Sequence, residues 1–144
     1  MHILLTRQLQ DSKDLIQKFK SNGFKVSNLP LLEINKLDYD EIKSYNYNAI
    51  IFTSSNAIKF LNLKNIKKNI LCFCVGSYTE KTARSNGFQN VIAADGNVRN
   101  LKELVQQNLS IKDNKILYVS GDVLSFPLDK ELISEGYNLS LIHI

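Results

Sequence analysis

The chain has 144 residues, 44% of them hydrophobic and 22% charged, with a mean hydropathy of -0.16; this composition excludes a disordered or fibrous protein, and the length suits one buried core. The 18 Lys and Arg against 14 Asp and Glu leave a net charge of +4, which admits an acidic ligand, but Lys64, Lys67 and Lys68 read as solvated surface and no basic block is interleaved with aromatics, so no nucleic-acid partner is expected. Apolar runs fall well short of a membrane span, and the N-terminus enters Ile3-Leu4-Leu5 without the regions of a signal peptide, so the expectation is a cytoplasmic protein with no membrane partner.

In chain order, His2 to Thr6 predicts a first strand, and the residues from Gln8 onward a helix with Leu15, Ile16 and Phe19 on its inner face. Ser21-Asn22-Gly23-Phe24 stops that helix, Gly23 taking the left-handed conformation that closes it, and Phe24-Lys25-Val26 starts another strand. The same punctuation returns at Ser85-Asn86-Gly87-Phe88 and, more loosely, at Ser134-Glu135-Gly136-Tyr137. Three such helix-to-strand junctions predict a doubly wound α/β protein with a parallel sheet. Leu29-Pro30-Leu31-Leu32-Glu33-Ile34 reads as an extended connector, since Pro30 discourages a helix and spoils a central strand, and Asp38 to Ser44 as a short helix.

Ala49-Ile50-Ile51-Phe52 is a continuous apolar run that passes through Thr53-Ser54-Ser55-Asn56 into apolar residues at helical spacing, Ala57, Ile58, Phe60 and Leu61. This predicts strand, tight turn and helix, with Ser54 or Ser55 as the N-cap. The next strand, Ile70 to Val75, carries the only cysteines, Cys72 and Cys74; two apart on a strand they share a face, which favours buried thiols over a disulfide. With His2 and His143 at opposite ends of the chain, no zinc site is expected. Gly76-Ser77-Tyr78-Thr79 leads into a helix to about Asn86, and Val91 and Ile92 mark a short strand. Asp95-Gly96-Asn97 is a turn before the helical face of Leu101, Leu104 and Val105, and Lys115 to Val119 is a strand ending in Ser120-Gly121-Asp122. Leu128, Leu132 and Ile133 predict one more helix and Tyr137 to Ile142 a last strand.

In such a sheet the ligand side is the carboxyl edge of the strands. Thr53-Ser54-Ser55-Asn56, Gly76-Ser77-Tyr78-Thr79, Ser120-Gly121-Asp122 and Thr6-Arg7 all follow strands, and together form a candidate rim of amides and hydroxyls with one guanidinium. Each helix start adds only about 0.3–1 kcal/mol toward an anion, so several must cooperate, which points to a polyanion. Small residues also simply make tight turns, Asp122 is as readily a turn former as an acid or base, and Tyr78 and Tyr118 fit a core as well as a site. No P-loop, G-x-G-x-x-G, G-x-S-x-G or metal-ligand cluster occurs.

Taken in order, Ile3-Leu4-Leu5-Thr6-Arg7, Leu29-Pro30-Leu31-Leu32-Glu33-Ile34, Ala49 to Ala57, Val75-Gly76-Ser77-Tyr78-Thr79, Ala94-Asp95-Gly96 and Leu117 to Asp122 resemble the uroporphyrinogen-III synthase family. The resemblance implies two α/β lobes, one of them a flavodoxin-like parallel sheet, joined by a two-stranded connector and closing on a cleft. On that plan residues 1–30 start a split first lobe, 31–36 form the outward connector, 37–136 the inserted second lobe, and 137–144 the start of a return connector that is truncated or atypical. It further implies cofactor-free cyclisation of hydroxymethylbilane to uroporphyrinogen III, with loss of water and inversion of ring D, by a lyase that is a monomer when complete; the chain as written is expected to be inactive.

By the same match Thr53, Ser54, Ser55, Asn56, Gly76, Ser77 and Thr79 would bind the carboxylates of this polyanionic tetrapyrrole, with Arg7 near the cleft. Gln8 departs from the proline that often follows the Thr-Arg pair, and Ser120 from a basic residue that commonly precedes Gly-Asp. The tyrosine that the family is associated with for hydroxyl loss belongs to the return connector. The other class of function compatible with these residues is a non-catalytic α/β module that binds a small polyanion.

Overall fold

A computed structural model describes residues 1–40, 42, 46–112 and 114–144, in two compact units, Met1–Lys36 and Leu37–Ile144. The first is a single β-α-β turn: β1 (His2–Leu5), α1 (Leu9–Ser21) and β2 (Lys25–Asn28), the strands parallel and paired from His2↔Lys25 to Leu5↔Asn28. Phe19 meets Phe24 edge-on at 6.2 Å as the chain turns through Gly23. Ile16 and Phe19 are half-buried as expected, but Leu15 stays exposed and Ser12 is buried in its stead. One helix over two strands covers only a narrow seam, formed by positions 12, 16 and 19, and Leu15, about 100° round the helix from Ile16, falls outside it. Beyond β2 the chain runs without regular elements to Lys36, the Leu29 and Leu31 amides donating to the carbonyls of Leu5 and Thr6 on either side of Pro30. The helix expected from Asp38 to Ser44 lies partly outside the described residues; 38–40 and 42 are not helical.

The second unit holds β3 (Ala49–Phe52), α2 (Ser55–Phe60), a 3-10 turn at Leu63–Asn65, β4 (Leu71–Val75), α3 (Ser77–Ser85), β5 (Asn90–Ala94), α4 (Val98–Asn108), β6 (Lys115–Ser120), α5 (Leu128–Ser134) and β7 (Asn138–His143). Its five strands are all parallel, in the order β5-β4-β3-β6-β7. This is the expected doubly wound α/β sheet. Counted within the unit, its order is 3-2-1-4-5 where flavodoxin has 2-1-3-4-5. The chain steps outward from β3 to β5, then crosses back to lay β6 and β7 on the other flank of β3. Asn138–His143 pairs with β6 along its whole length as the edge strand of this sheet, where the sequence predicts a last strand from Tyr137 to Ile142.

Alternation along the strands explains the layers. Ile50, Phe52, Cys72, Cys74, Leu117 and Val119 face Ala57 and Ile58 of α2 and Ala83 of α3. Ala49, Ile51, Phe73, Ile116 and Tyr118 face Leu101 and Val105 of α4 and Leu128 and Leu132 of α5. With both faces covered, a central strand needs no polar positions, which is why β3 reads Ala-Ile-Ile-Phe without a break. Cys72 and Cys74 are free, buried thiols with their sulfurs 3.8 Å apart, and the hydrogen bond between them, then burial, pushes the Cys72 thiol far up and keeps it protonated.

Lys102 ties α4 to the end of α5, its Nζ lying 2.8 Å from Glu131 Oε2 and 2.6 Å from Glu135 Oε1. The bond from Lys102, then that from Gln106, holds Glu135 below the ordinary 4.5, and the bonds to Glu131 and Glu135 hold Lys102 above 10.5. The Glu135 contribution is complete above pH 4.5 and is lost as pH falls through its lowered folded value; the Lys102 contribution is complete below 10.5 and is lost as pH rises through its raised one. Lys102→Met is therefore expected to lower the urea midpoint at neutral pH and to lower it less in acid well below pH 4.5. An equal drop at both pH values would show that the ion pairs do not contribute.

Candidate functional site

Because every strand of the second unit is parallel, all five carboxyl ends share one edge. The order reverses between β3 and β6, whose following helices cover opposite faces, and at such a switch the two loops diverge and open a crevice. Phe52 stands opposite Cys74 on one side and Val119 on the other, so the register carried on brings Thr53 level with Val75 and Ser120, and Ser54 level with Gly76. Thr53–Asn56 and Gly76–Thr79 thus meet on one edge, at the tips of adjacent strands.

Ser54 is the N-cap of α2: its Oγ accepts from the Asn56 amide at 3.2 Å, which leaves the hydroxyl hydrogen to donate elsewhere. Thr53 is half-buried, near the phenol of Tyr118. Burial pushes the Tyr118 phenol up, the Thr53 hydroxyl opposes that, and Asp129 adds to it; with 1% of its surface exposed, this is a core tyrosine beneath the tip of β3. Ser55 and Thr79, both expected on the rim, are buried, because the first and third positions of their helices turn toward the sheet. The accessible part of the rim falls to Thr53, Ser54, Asn56 and Gly76, all half-buried, and to Ser77, which is exposed.

Gly76 explains the second tip. Its φ of 79° is in the left-handed region, its amide donates to Ala94 O at 3.0 Å, and it offers no side chain to cap α3, in contrast to Ser54 before α2 and Asn97 before α4. The rim therefore includes a helix start with no side-chain cap, next to the Ser54 hydroxyl. A Cβ at Gly76 would meet nothing within 4 Å, so Gly76→Ala is expected to cost only the backbone strain of its φ 79°, ψ 152° conformation, about 1–3 kcal/mol. Urea unfolding checks this; no loss would mean that the turn relaxes without a glycine.

Lys59 Nζ lies 5.6 Å from the ring centroid of Tyr78, placing a cation near the start of α3. On the β6 side, Ser120 is buried and donates to Gly121 O, while Asp122 is exposed in the loop before α5. Arg7 lies in the first unit, exposed after β1, where its carbonyl accepts from Asn28 Nδ2 at 2.9 Å. A cavity of about 430 Å³ opens on the same edge of the second unit, lined by Val75, Gly96, Asn97, Val98, Arg99, Ser125 and Phe126. Sequence reasoning reads Asp95-Gly96-Asn97 as a turn and passes over Arg99; the available signal is a cation in the first turn of a helix, where the dipole disfavours it. Among the described residues no group of three or more His, Cys, Asp or Glu could hold a metal ion, and no helix is long and apolar enough to cross a membrane.

The family model described as "Uroporphyrinogen-III synthase HemD" matches residues 13–144. Among solved structures, the uroporphyrinogen-III synthetase of Helicobacter pylori matches with a TM-score of 0.55 and 20% identity over 99% of this chain and 60% of that one. The uroporphyrinogen III synthase of Thermus thermophilus matches with a TM-score of 0.52 and 13% identity, again over 99% of this chain and 60% of that one. At these identities the likeness is one of fold, and the chain spans about 60% of the length of either structure. No curated protein sequence matches the chain.

Proposed function

The chain belongs to the uroporphyrinogen-III synthase family, and from that premise we propose that it serves the cofactor-free cyclisation of hydroxymethylbilane, with loss of water and inversion of ring D. The observation that carries this reading is the pairing, on neighbouring strand tips, of the Ser54 hydroxyl with the uncapped start of α3 at Gly76. The substrate is a flexible linear tetrapyrrole bearing eight carboxylates. It closes spontaneously, without inversion, to the symmetric type I isomer, so the main demand on the protein is to hold the chain in the geometry that leads through a spiro intermediate. Amides and hydroxyls meet that demand, because they bind several carboxylates without offering a strong nucleophile to the cation left when the terminal hydroxyl departs. A donor placed on that hydroxyl adds a general-acid contribution. On this reading the protein is a lyase of tetrapyrrole biosynthesis that works in the cytoplasm as a monomer.

The test is to incubate hydroxymethylbilane with the chain, alone and extended by whatever its natural reading frame carries beyond Ile144, and to resolve the oxidised products chromatographically. Type III uroporphyrin above the uncatalysed level is expected from the extended form. Type I alone from both forms would overturn the proposal.

A further inference from the structure

The cavity beside the rim contains a cation that the α/β core does not need. Arg99 stands in the first turn of α4, which carries no acidic residue there, so its charge opposes the helix dipole. Among the described residues it makes no ion pair. Its guanidinium lies 5.6 Å from the ring centroid of Phe126, within cation–π range. Two amides at the start of α4 are already used, since Asn97 Oδ1 accepts from those of Arg99 and Asn100 at 2.9 and 3.1 Å, which leaves the Arg99 side chain as the main attraction for an anion in the cavity. The rest of the lining is mostly apolar, with Val75, Val98 and Phe126 as walls and Ser125 as one more polar group. A volume of about 430 Å³ with apolar walls and few polar groups is the usual make-up of a small-molecule site. Val75, which lines the cavity, immediately precedes Gly76 of the rim.

Resting on the family reading above, we propose that this cavity is the subsite for one pyrrole ring of the substrate, the ring lying against Val75 and Val98 and its acid arm bound to Arg99. A ring anchored here and carboxylates held along the strand tips fix the tetrapyrrole at two places, which orients it where a row of anion contacts alone would let it slide.

The subsite is tested with a single pyrrole bearing an acetate and a propionate arm, porphobilinogen, titrated into the isotope-labelled 144-residue chain and followed by amide NMR shifts. The expected result is saturable shifts at Gly96, Val98, Arg99, Ser125 and Phe126. Arg99→Gln should weaken binding about tenfold or more, as loss of a charge-assisted contact does, and Arg99→Lys should restore part of it. No shift at these amides, or equal affinity in Arg99→Gln, would overturn the proposal; so would inorganic phosphate producing the same shifts at the same concentration, since the site would then select charge and not a ring. If type III product forms while Arg99→Gln leaves porphobilinogen affinity unchanged, the subsite fails and the function stands. If only type I product forms while porphobilinogen still depends on Arg99, the function fails and the pyrrole-acid site stands.

Discussion

Phe52→Ala is expected to lower the unfolding free energy of the second unit by about 3–5 kcal/mol, the usual result of emptying a buried aromatic position. Phe52 has no exposed surface, lies on the central strand, and meets Phe88 edge-on at 5.7 Å and 70°. Its neighbours across the sheet, Cys74 and Val119, are themselves buried between layers, so the space left cannot be filled by a small shift of one helix. Against a typical total of about 5–15 kcal/mol, the loss removes a large part of the stability. Urea unfolding followed by far-ultraviolet circular dichroism measures it, and a change below about 1 kcal/mol would mean that the face under α2 and α3 packs more loosely than described. The same residue sets the position of the proposed rim, because Phe52 is the last residue of β3 and Thr53 follows it.

Much of the fold is readable from the chain. The unbroken run at Ala49–Phe52, the small residues after it and the glycines at 23, 87 and 136, all with positive φ, are local signals, and each element they predict is present. Ser54 as the N-cap is equally local. The order of the strands is not: whether β6 lies beside β3 or beyond β5 depends on pairing between segments far apart, and the hydrophobic pattern of a doubly covered strand is the same in either place. The burial of Ser55 and Thr79 is hidden for a related reason. Residue type suggests a rim, whereas the phase of each helix, which decides which hydroxyl faces water, is fixed only once the helix docks. Leu15 is the reverse case, an apolar residue lying just outside a narrow seam. The family is legible because its motifs keep their order along the chain even where each is weak, and the match over residues 13–144 bears that out.

The second large effect separates binding from folding at one atom. Ser54→Asp keeps an N-cap oxygen for the Asn56 amide, aspartate being as good a cap as serine, so stability should stay close to the parent. It also places a negative charge on the edge that is to receive carboxylates. Like charges about 4–5 Å apart at a protein surface repel by roughly 1–4 kcal/mol, a five- to several-hundredfold loss of affinity. Replacing Ser54 by alanine would blur the result, since loss of the cap costs about 1 kcal/mol of stability on its own.

The most direct measurement of whether the strand tips hold a polyacid tetrapyrrole is therefore the fluorescence titration of uroporphyrin I, an eight-carboxylate ring, into the parent chain and into Ser54→Asp, with urea midpoints taken on both. Saturable binding to the parent, with affinity at least about fivefold lower in Ser54→Asp at matched stability, is the expected outcome. Equal affinity in the two, or no binding to the parent, would contradict the account.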